Sequence, residues 1–255
     1  MDLNGNHSLN SNAKKKVLIT GANGFIGKNL SLACIQKNIE VLSYDVVNKE
    51  EELQAMIKSC DFVYHLAGVN RPLTPEEFYD GNFTIKLIDL LKKTNRQIPL
   101  LISSSIHASM ENDYGKSKKM AEDAVIEYGK STGSSIFIFR LANAFGKWCR
   151  PNYNSVIATF CYNVANNLEI KINDRSAVIP FVYIDDIVET FIGALDKEST
   201  NEILSVEPVY HRSIGELADL LYSYKESRKN LMISDMMDGF AKKLYSTYLT
   251  YLPES

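Results

Sequence analysis

The sequence predicts an α/β protein, a doubly wound parallel sheet with a small C-terminal lobe, and three observations carry the prediction. Apolar β-branched runs alternate with helical patterns, as a parallel sheet with crossover helices requires. The first run, Val17-Leu18-Ile19-Thr20, breaks into Gly21, Gly24 and Gly27 and continues as a helix. An acidic residue, Asp45, ends the second run eighteen residues past Gly27. Strand, glycine turn and helix in that order form a dinucleotide site. The turn tightens, the backbone comes close to a pyrophosphate, and the helix N-terminus offers free N–H groups and a positive dipole. The expected fold is therefore of the Rossmann type, with Gly21, Asn23, Gly24, Phe25, Ile26 and Gly27 assigned to the cofactor.

The elements follow in chain order. The helix opened by the glycines runs to about Lys37, and Ile39–Tyr44 forms the second strand. Asp45 falls where an acid can hold the adenosine ribose hydroxyls, which favours NAD over NADP; Asp also simply terminates strands. Only sixteen residues lie between Asp45 and Phe62, and Glu50–Lys58 among them reads as a helix. The usual next strand has little room, so this edge is expected to be missing or vestigial. Phe62-Val63-Tyr64-His65-Leu66 is the next buried strand, with His65 read as core rather than ligand. Leu66, Ala67 and Gly68 then let backbone approach a cofactor at the carboxyl end of the sheet. Asn70-Arg71-Pro72 lies on a loop beside the cleft, where Arg71 is either a phosphate or substrate contact or a solvated arginine. A helix from about Pro75 to Asn95, carrying Asn82, precedes the strand that starts at Leu100-Leu101-Ile102, and Ser135–Arg140 makes a further strand.

The chemistry gathers at Ser103-Ser104-Ser105 and Tyr114-Gly115-Lys116-Ser117-Lys118. On a helix, Tyr114 and Lys118 share one face, so the ammonium is expected to lower the phenol pKa and turn Tyr114 into a proton donor or acceptor. A strand-end serine can bind the same carbonyl oxygen. Together these groups polarise a ketone or alcohol against a nicotinamide.

The Gly-x-x-Gly-x-x-Gly order resembles the fingerprint of the extended, sugar-nucleotide branch of short-chain dehydrogenase/reductases. By that analogy the active hydroxyl is the last of the run, Ser105. The spacing of nine positions from Ser105 to Tyr114 is shorter than in the epimerases of the branch. Ile106-His107 stands where 4,6-dehydratases carry an acidic pair, which disfavours dehydration. Leu141-Ala142-Asn143-Ala144-Phe145-Gly146 resembles the segment leading into the substrate lobe, with Asn143 either a sugar or pyrophosphate contact or a turn former. The stretch Lys147 to Phe160, with Leu66–Pro72 and Leu244–Leu249, resembles bacterial capsular-polysaccharide reductases of the UDP-N-acetyl-L-fucosamine pathway, over about Val17 to Pro253.

That resemblance implies NAD(P)H-dependent reduction of the C4 ketone of a UDP-2-acetamido-2,6-dideoxy-hexos-4-ulose. The family habit is NADPH, whereas Asp45 followed by Val46 and Val47 offers no arginine for a 2′-phosphate. Asn70, Lys147, Arg150 and Asn154 are assigned to the substrate side. Arg175 and Arg212 are candidates for the UDP phosphates or for surface salt bridges. Asp185 and Asp186 read as helix caps. The family also carries a C-terminal metal-binding cupin domain linked to epimerisation, and this sequence stops at about where that domain begins. With no second acid–base constellation between Gly146 and Ser255, the chain is expected to reduce without inverting a neighbouring carbon, or to need a separate cupin partner. The alternatives are a UDP-sugar 4-epimerase, which shows no net cofactor change, and a non-catalytic dinucleotide sensor, which has no use for the Ser–Tyr–Lys array.

Composition bounds the rest. The 255 residues fit one α/β unit, read as a disordered leader over 1–16, a dinucleotide-binding core over 17–150 and an interleaved substrate lobe over 151–255. Lys and Arg total 28 against 31 Asp and Glu, a net charge of −3 that marks no nucleic-acid or membrane binder. Cys34, Cys60, Cys149 and Cys161 form no C-x-x-C pair, so reduced thiols, no metal site and a cytoplasmic setting are expected. Exposed helices on such a sheet suit a homodimer.

Overall fold

The computed structural model describes residues 14–68, 83–198, 202–231 and 238–253. Most of the expected leader, together with Asn70, Arg71 and Asn82, lies outside the described residues. In the main sheet β1 (Lys16–Thr20) pairs in parallel with β2 (Glu40–Tyr44) on one side and β3 (Phe62–His65) on the other. From β3 the parallel sheet continues through β4 (Leu100–Ser105) and β5 (Ile136–Leu141). A smaller sheet is built from β6 (Asn143–Phe145), β7 (Val178–Tyr183) and β9 (Tyr210–Ser213), with β6 parallel and β9 antiparallel to β7. Between them in sequence, the short β8 (Ile203–Leu204) returns to pair with β5, so the large sheet runs β2-β1-β3-β4-β5-β8.

Period-two alternation along the strands sorts two cores. Val17, Ile19, Tyr64, Leu101, Phe137 and Phe139 face α1 (Phe25–Gln36) and α6 (Ile184–Gly193). Leu18, Val63, Leu100, Ile102 and Ile138 face α2 (Glu50–Ser59), α3 (Phe83–Lys92) and α4 (Asp113–Thr132). A third core in the lobe packs Phe145 and Phe181 against α5 (Val156–Ala165), α7 (Ile214–Asn230) and α8 (Gly239–Leu249).

The expected shortage of room after Asp45 is visible in this arrangement. Once α2 has taken Glu50–Ser59, only Cys60 and Asp61 remain before β3, and β2 is left as the sheet edge. Chain order and layers do not part at position 150. Asn143–Phe145 already belongs to the small sheet, while α6 and β8 return to the large one.

A charged network ties the helix that carries the Tyr–Lys pair to the sheet. Glu122, on α4, is fully buried. It accepts from Ser104 Oγ at 2.6 Å and from Arg140 Nε and a terminal guanidinium nitrogen at 2.8 and 2.7 Å. Removing one partner of a buried pair strands the other. Glu122→Leu is expected to lower the unfolding free energy by about 3 kcal/mol in denaturant titration, the lower end of such losses because Arg140 keeps water contact. Glu122→Gln, which keeps an acceptor for Ser104, is expected to lose less.

Candidate active site

The glycine turn is built by close approach. Gly21 has φ +71° and lies so near the β3 exit that a Cβ there would come within 2.8 Å of the Ala67 amide nitrogen. A Cβ on Gly27 would meet the Gly21 carbonyl oxygen at 2.2 Å, so only glycine lets the first turn of α1 lie against the strand end. Gly24 is the N-cap of α1 and caps it with no side chain, which leaves the first-turn N–H groups available to an anion. Asp45 braces the turn from β2: one carboxylate oxygen accepts the Asn23 N–H at 2.8 Å and the other its neighbour Val46 N–H at 2.8 Å. The carboxylate is thus fixed beside the turn, followed by the exposed apolar pair Val46 and Val47. The open helix start and the crowded glycines fit a dinucleotide.

The Ser–Tyr–Lys array assembles at the carboxyl end of β4. Ser105 ends that strand, and its Oγ accepts the His107 N–H at 3.2 Å, capping a 3-10 turn over Ile106–Ser109. Asn112 caps α4 through the Gly115 N–H at 2.8 Å and so sets where Tyr114 sits. The Ser105 hydroxyl lies near enough to the Tyr114 phenol to pull its pKa down. Ser104, in contrast, spends its hydroxyl on Glu122, which leaves Ser105 as the serine turned to the tyrosine. Lys118 Nζ lies 5.6 Å from the Tyr114 ring centroid and against Gly68, where a Cβ would stand 3.2 Å from it.

The electrostatics differ from the sequence expectation. Burial raises the Tyr114 phenol pKa, and the Ser105 hydroxyl offsets this only in part. Burial also lowers the Lys118 ammonium. The ammonium sits over the ring, so in this state desolvation outweighs its pull on the phenol. Tyr114 is held in its protonated form, the form a proton donor needs.

His65 is a core residue. It bridges Thr20 Oγ1 at 2.7 Å and Thr84 Oγ1 at 2.8 Å, and burial pushes its pKa down to about 3.

A cleft of about 1110 Å³ runs from the glycine turn past this array into the lobe. It is lined by Gly21, Asn23, Gly24, Phe25, Ile26, Gly27, Leu66, Gly68, Ser105, Tyr114 and Lys118, and further along by Asn143, Arg150 and Asn154. Asn143 also donates to the Pro180 carbonyl at 3.0 Å, which ties β6 to β7. Ala67 lines a small adjoining cavity with His65 and Lys118. Lys147 is turned to Asp185 at 3.6 Å, outside the cleft lining.

Arg175 and Arg212 do not serve the cleft. Arg175 donates to both Asp219 oxygens at 2.8 Å, and Arg212 donates to Asp238 at 2.8 Å while lying over the Phe240 ring. Asp219 on α7 pairs with Arg175 and Asp238, the N-cap of α8, pairs with Arg212, so the salt-bridge alternative holds for both.

The cleft also contains residues that sequence reading passed over. His107 and Trp148 line it, as do Tyr153, Thr250 and Tyr251. Trp148 is the chain's single tryptophan and is 51 % exposed, a signal that composition alone could have raised. Tyr251 arrives from the far end of the chain, where its hydroxyl donates to the Cys149 carbonyl, and no local pattern announces that contact.

Known proteins share this architecture. Over 243 residues, 94% of its length, the chain is 48% identical to the UDP-2-acetamido-2,6-beta-L-arabino-hexul-4-ose reductase of Pseudomonas aeruginosa, of which it covers 65%. It matches the crystal structure of the capsular polysaccharide assembling protein CapF from Staphylococcus aureus with a TM-score of 0.86 and 42% identity, over 93% of this chain and 66% of that one. The chain thus spans just under two thirds of the length of these two relatives. The fold alone is shared with UDP-glucose 4-epimerase of Thermus thermophilus in complex with NAD, at a TM-score of 0.72 and 18% identity over 92% of this chain and 98% of that one. Residues 17–206 match the family described as NAD dependent epimerase/dehydratase, a span that takes in both the glycine turn and the Tyr–Lys helix, and the chain belongs to that family.

Proposed function

We propose that the chain is an NAD(P)H-dependent ketoreductase acting on the C4 ketone of a UDP-2-acetamido-2,6-dideoxy-hexos-4-ulose, in the biosynthesis of a capsule or O-antigen sugar nucleotide. The observation that carries the reading is the convergence of Ser105, Tyr114 and Lys118 on one lining, at the point where the glycine-turn cleft opens into the lobe. The 48% identity to the Pseudomonas reductase, over nearly the whole chain, supports the substrate class.

The chain's own groups divide the work. Gly21 to Gly27 and the first turn of α1 hold the cofactor pyrophosphate, and Leu66 to Gly68 admit the cofactor to the sheet end. A bound reduced nicotinamide supplies the hydride that ends on the ketone carbon. Ser105 and Tyr114 engage the ketone oxygen. Tyr114, kept protonated by burial, gives its proton to that oxygen as negative charge develops there. Lys118 stabilises the phenolate left behind and holds the cofactor ribose. Asn143, Arg150 and Asn154 lie on the nucleotide-sugar side.

Stoichiometry tests this reading. Each keto sugar consumed should oxidise one reduced cofactor, with a product two mass units heavier by mass spectrometry. Conversion without net cofactor oxidation would instead mark an epimerase. Tyr114→Phe should lower kcat by about 10²–10⁴-fold while cofactor affinity stays near that of the unaltered chain, since a positioned acid is removed and the glycine turn is untouched. Near-normal turnover by that variant would refute the role given to Tyr114.

Asp45 sets the cofactor expectation. A carboxylate braced at the end of β2 repels a 2′-phosphate and accepts from free ribose hydroxyls. NADH should be used at least as well as NADPH in side-by-side titrations, and Asp45→Asn should shift the ratio toward NADPH. A strong NADPH preference in the unaltered chain would contradict this.

A further inference from the structure

We propose that His107 is a substrate-positioning residue whose Nε2 accepts a hydrogen bond from the sugar hydroxyl on the carbon beside the ketone. The proposal rests on the reductase reading above and adds a contact to it. His107 stands two residues after Ser105, on the 3-10 turn that Ser105 caps, and it lines the same cleft. Two contacts hold that turn still. The Met110 N–H donates to the His107 carbonyl at 2.9 Å. The first turn of α4 presses on the same loop, so closely that a Cβ on Gly115 would come within 2.6 Å of the His107 carbonyl oxygen. The backbone that carries the imidazole is therefore held by both elements that carry the reacting hydroxyls, and the ring centroid lies 6.4 Å from that of Tyr114.

The partners of the ring decide which nitrogen is available. Nδ1 lies 3.3 Å from the Met110 sulfur. A thioether accepts and cannot donate, so the neutral tautomer that satisfies this contact carries its proton on Nδ1 and offers Nε2 as a lone-pair acceptor. Among the described residues Nε2 has no hydrogen-bond partner. Ser105 and Tyr114 bring hydroxyl donors to the ketone oxygen, so a neighbouring acceptor is complementary to a ring hydroxyl next to that ketone. Glu122 shows how the adjacent acceptor is used up: both its oxygens are occupied beneath the sheet end.

The test uses the full chain with reduced cofactor and two substrates, the UDP-keto-sugar and its analogue lacking the hydroxyl beside the ketone. Loss of one neutral hydrogen bond corresponds to about a tenfold effect. His107→Phe, which keeps a ring against Tyr114, should raise KM about tenfold and move kcat by less than about threefold. His107→Gln should recover most of the loss. The deoxy analogue should carry the same penalty in the unaltered chain and no added penalty in His107→Phe. Independent penalties that multiply in the variant would overturn the proposal, because they would mean that His107 and the hydroxyl do not meet. A second measurement does not depend on turnover. In ¹⁵N spectra of the chain, with the His107 signals assigned through His107→Gln, the UDP-sugar alcohol should shift Nε2 whereas UDP alone should not. Saturated sugar binding without that shift would equally overturn the contact. Failure of the unaltered chain to reduce any keto sugar would count against the reductase reading alone, since the spectroscopic arm still decides whether His107 meets a sugar hydroxyl.

Discussion

The geometry of the cleft depends on one carboxylate that never meets water. Glu122 lies two helical turns beyond Tyr114 and one beyond Lys118, so the three side chains descend one face of α4 at four-residue intervals. Tyr114 and Lys118 both line the cleft, Lys118 against Gly68, and Glu122 grips β4 through Ser104 and β5 through Arg140. Such a pair gains little over an apolar core of equal volume, because desolvation offsets most of its Coulomb attraction. What it adds is direction. A leucine would let α4 slide or roll on the sheet, whereas a two-pronged carboxylate fixes rotation and register together, and with them the distance from the Tyr114 hydroxyl to Ser105.

Burial sets the protonation states with the same economy. The desolvation that raises the Tyr114 phenol also lowers the Lys118 ammonium. Both shifts favour the neutral form, so burial, and not a strong ion pair between the two groups, sets their protonation. The sequence spacing alone suggested that the lysine would act on the tyrosine by charge. The spacing is silent on depth, and depth decides the sign.

How much was legible follows from how local each feature is. The glycine turn, the Tyr–Lys face and the missing edge strand after Asp45 are set by spacing within one or two elements, and each stands in the structure where the spacing put it. In the sequence, only analogy separates Ser105 from Ser104. The physical reason, that Glu122 consumes the Ser104 hydroxyl, depends on a residue eighteen positions away on another element. The sequence alone leaves Arg175 and Arg212 open between phosphate and salt bridge. Their aspartates lie 44 and 26 residues on, and only the packing of α7 and α8 against the small sheet brings those charges together. The wall made by Trp148, Tyr153 and Tyr251 was illegible for the same reason, since two of its parts are loops and the third comes from the last residues described.

Two histidines make the distinction sharper. His65 and His107 each lie within a few residues of a predicted site segment, and neither is marked by a motif. Their fates differ because of what surrounds the ring. His65 has a threonine hydroxyl on each nitrogen and a pKa forced down to about 3, so its hydrogen-bonding capacity is spent inside the sheet and it stays neutral. His107 lines the cleft with one nitrogen on a weak thioether partner and, among the described residues, no hydrogen-bond partner on the other. A polar group in a folded chain is most informative when its inventory of donors and acceptors is incomplete, because the missing partner must be water or a ligand. Counted that way, the strand histidine completes the scaffold and the turn histidine has a place left for a substrate.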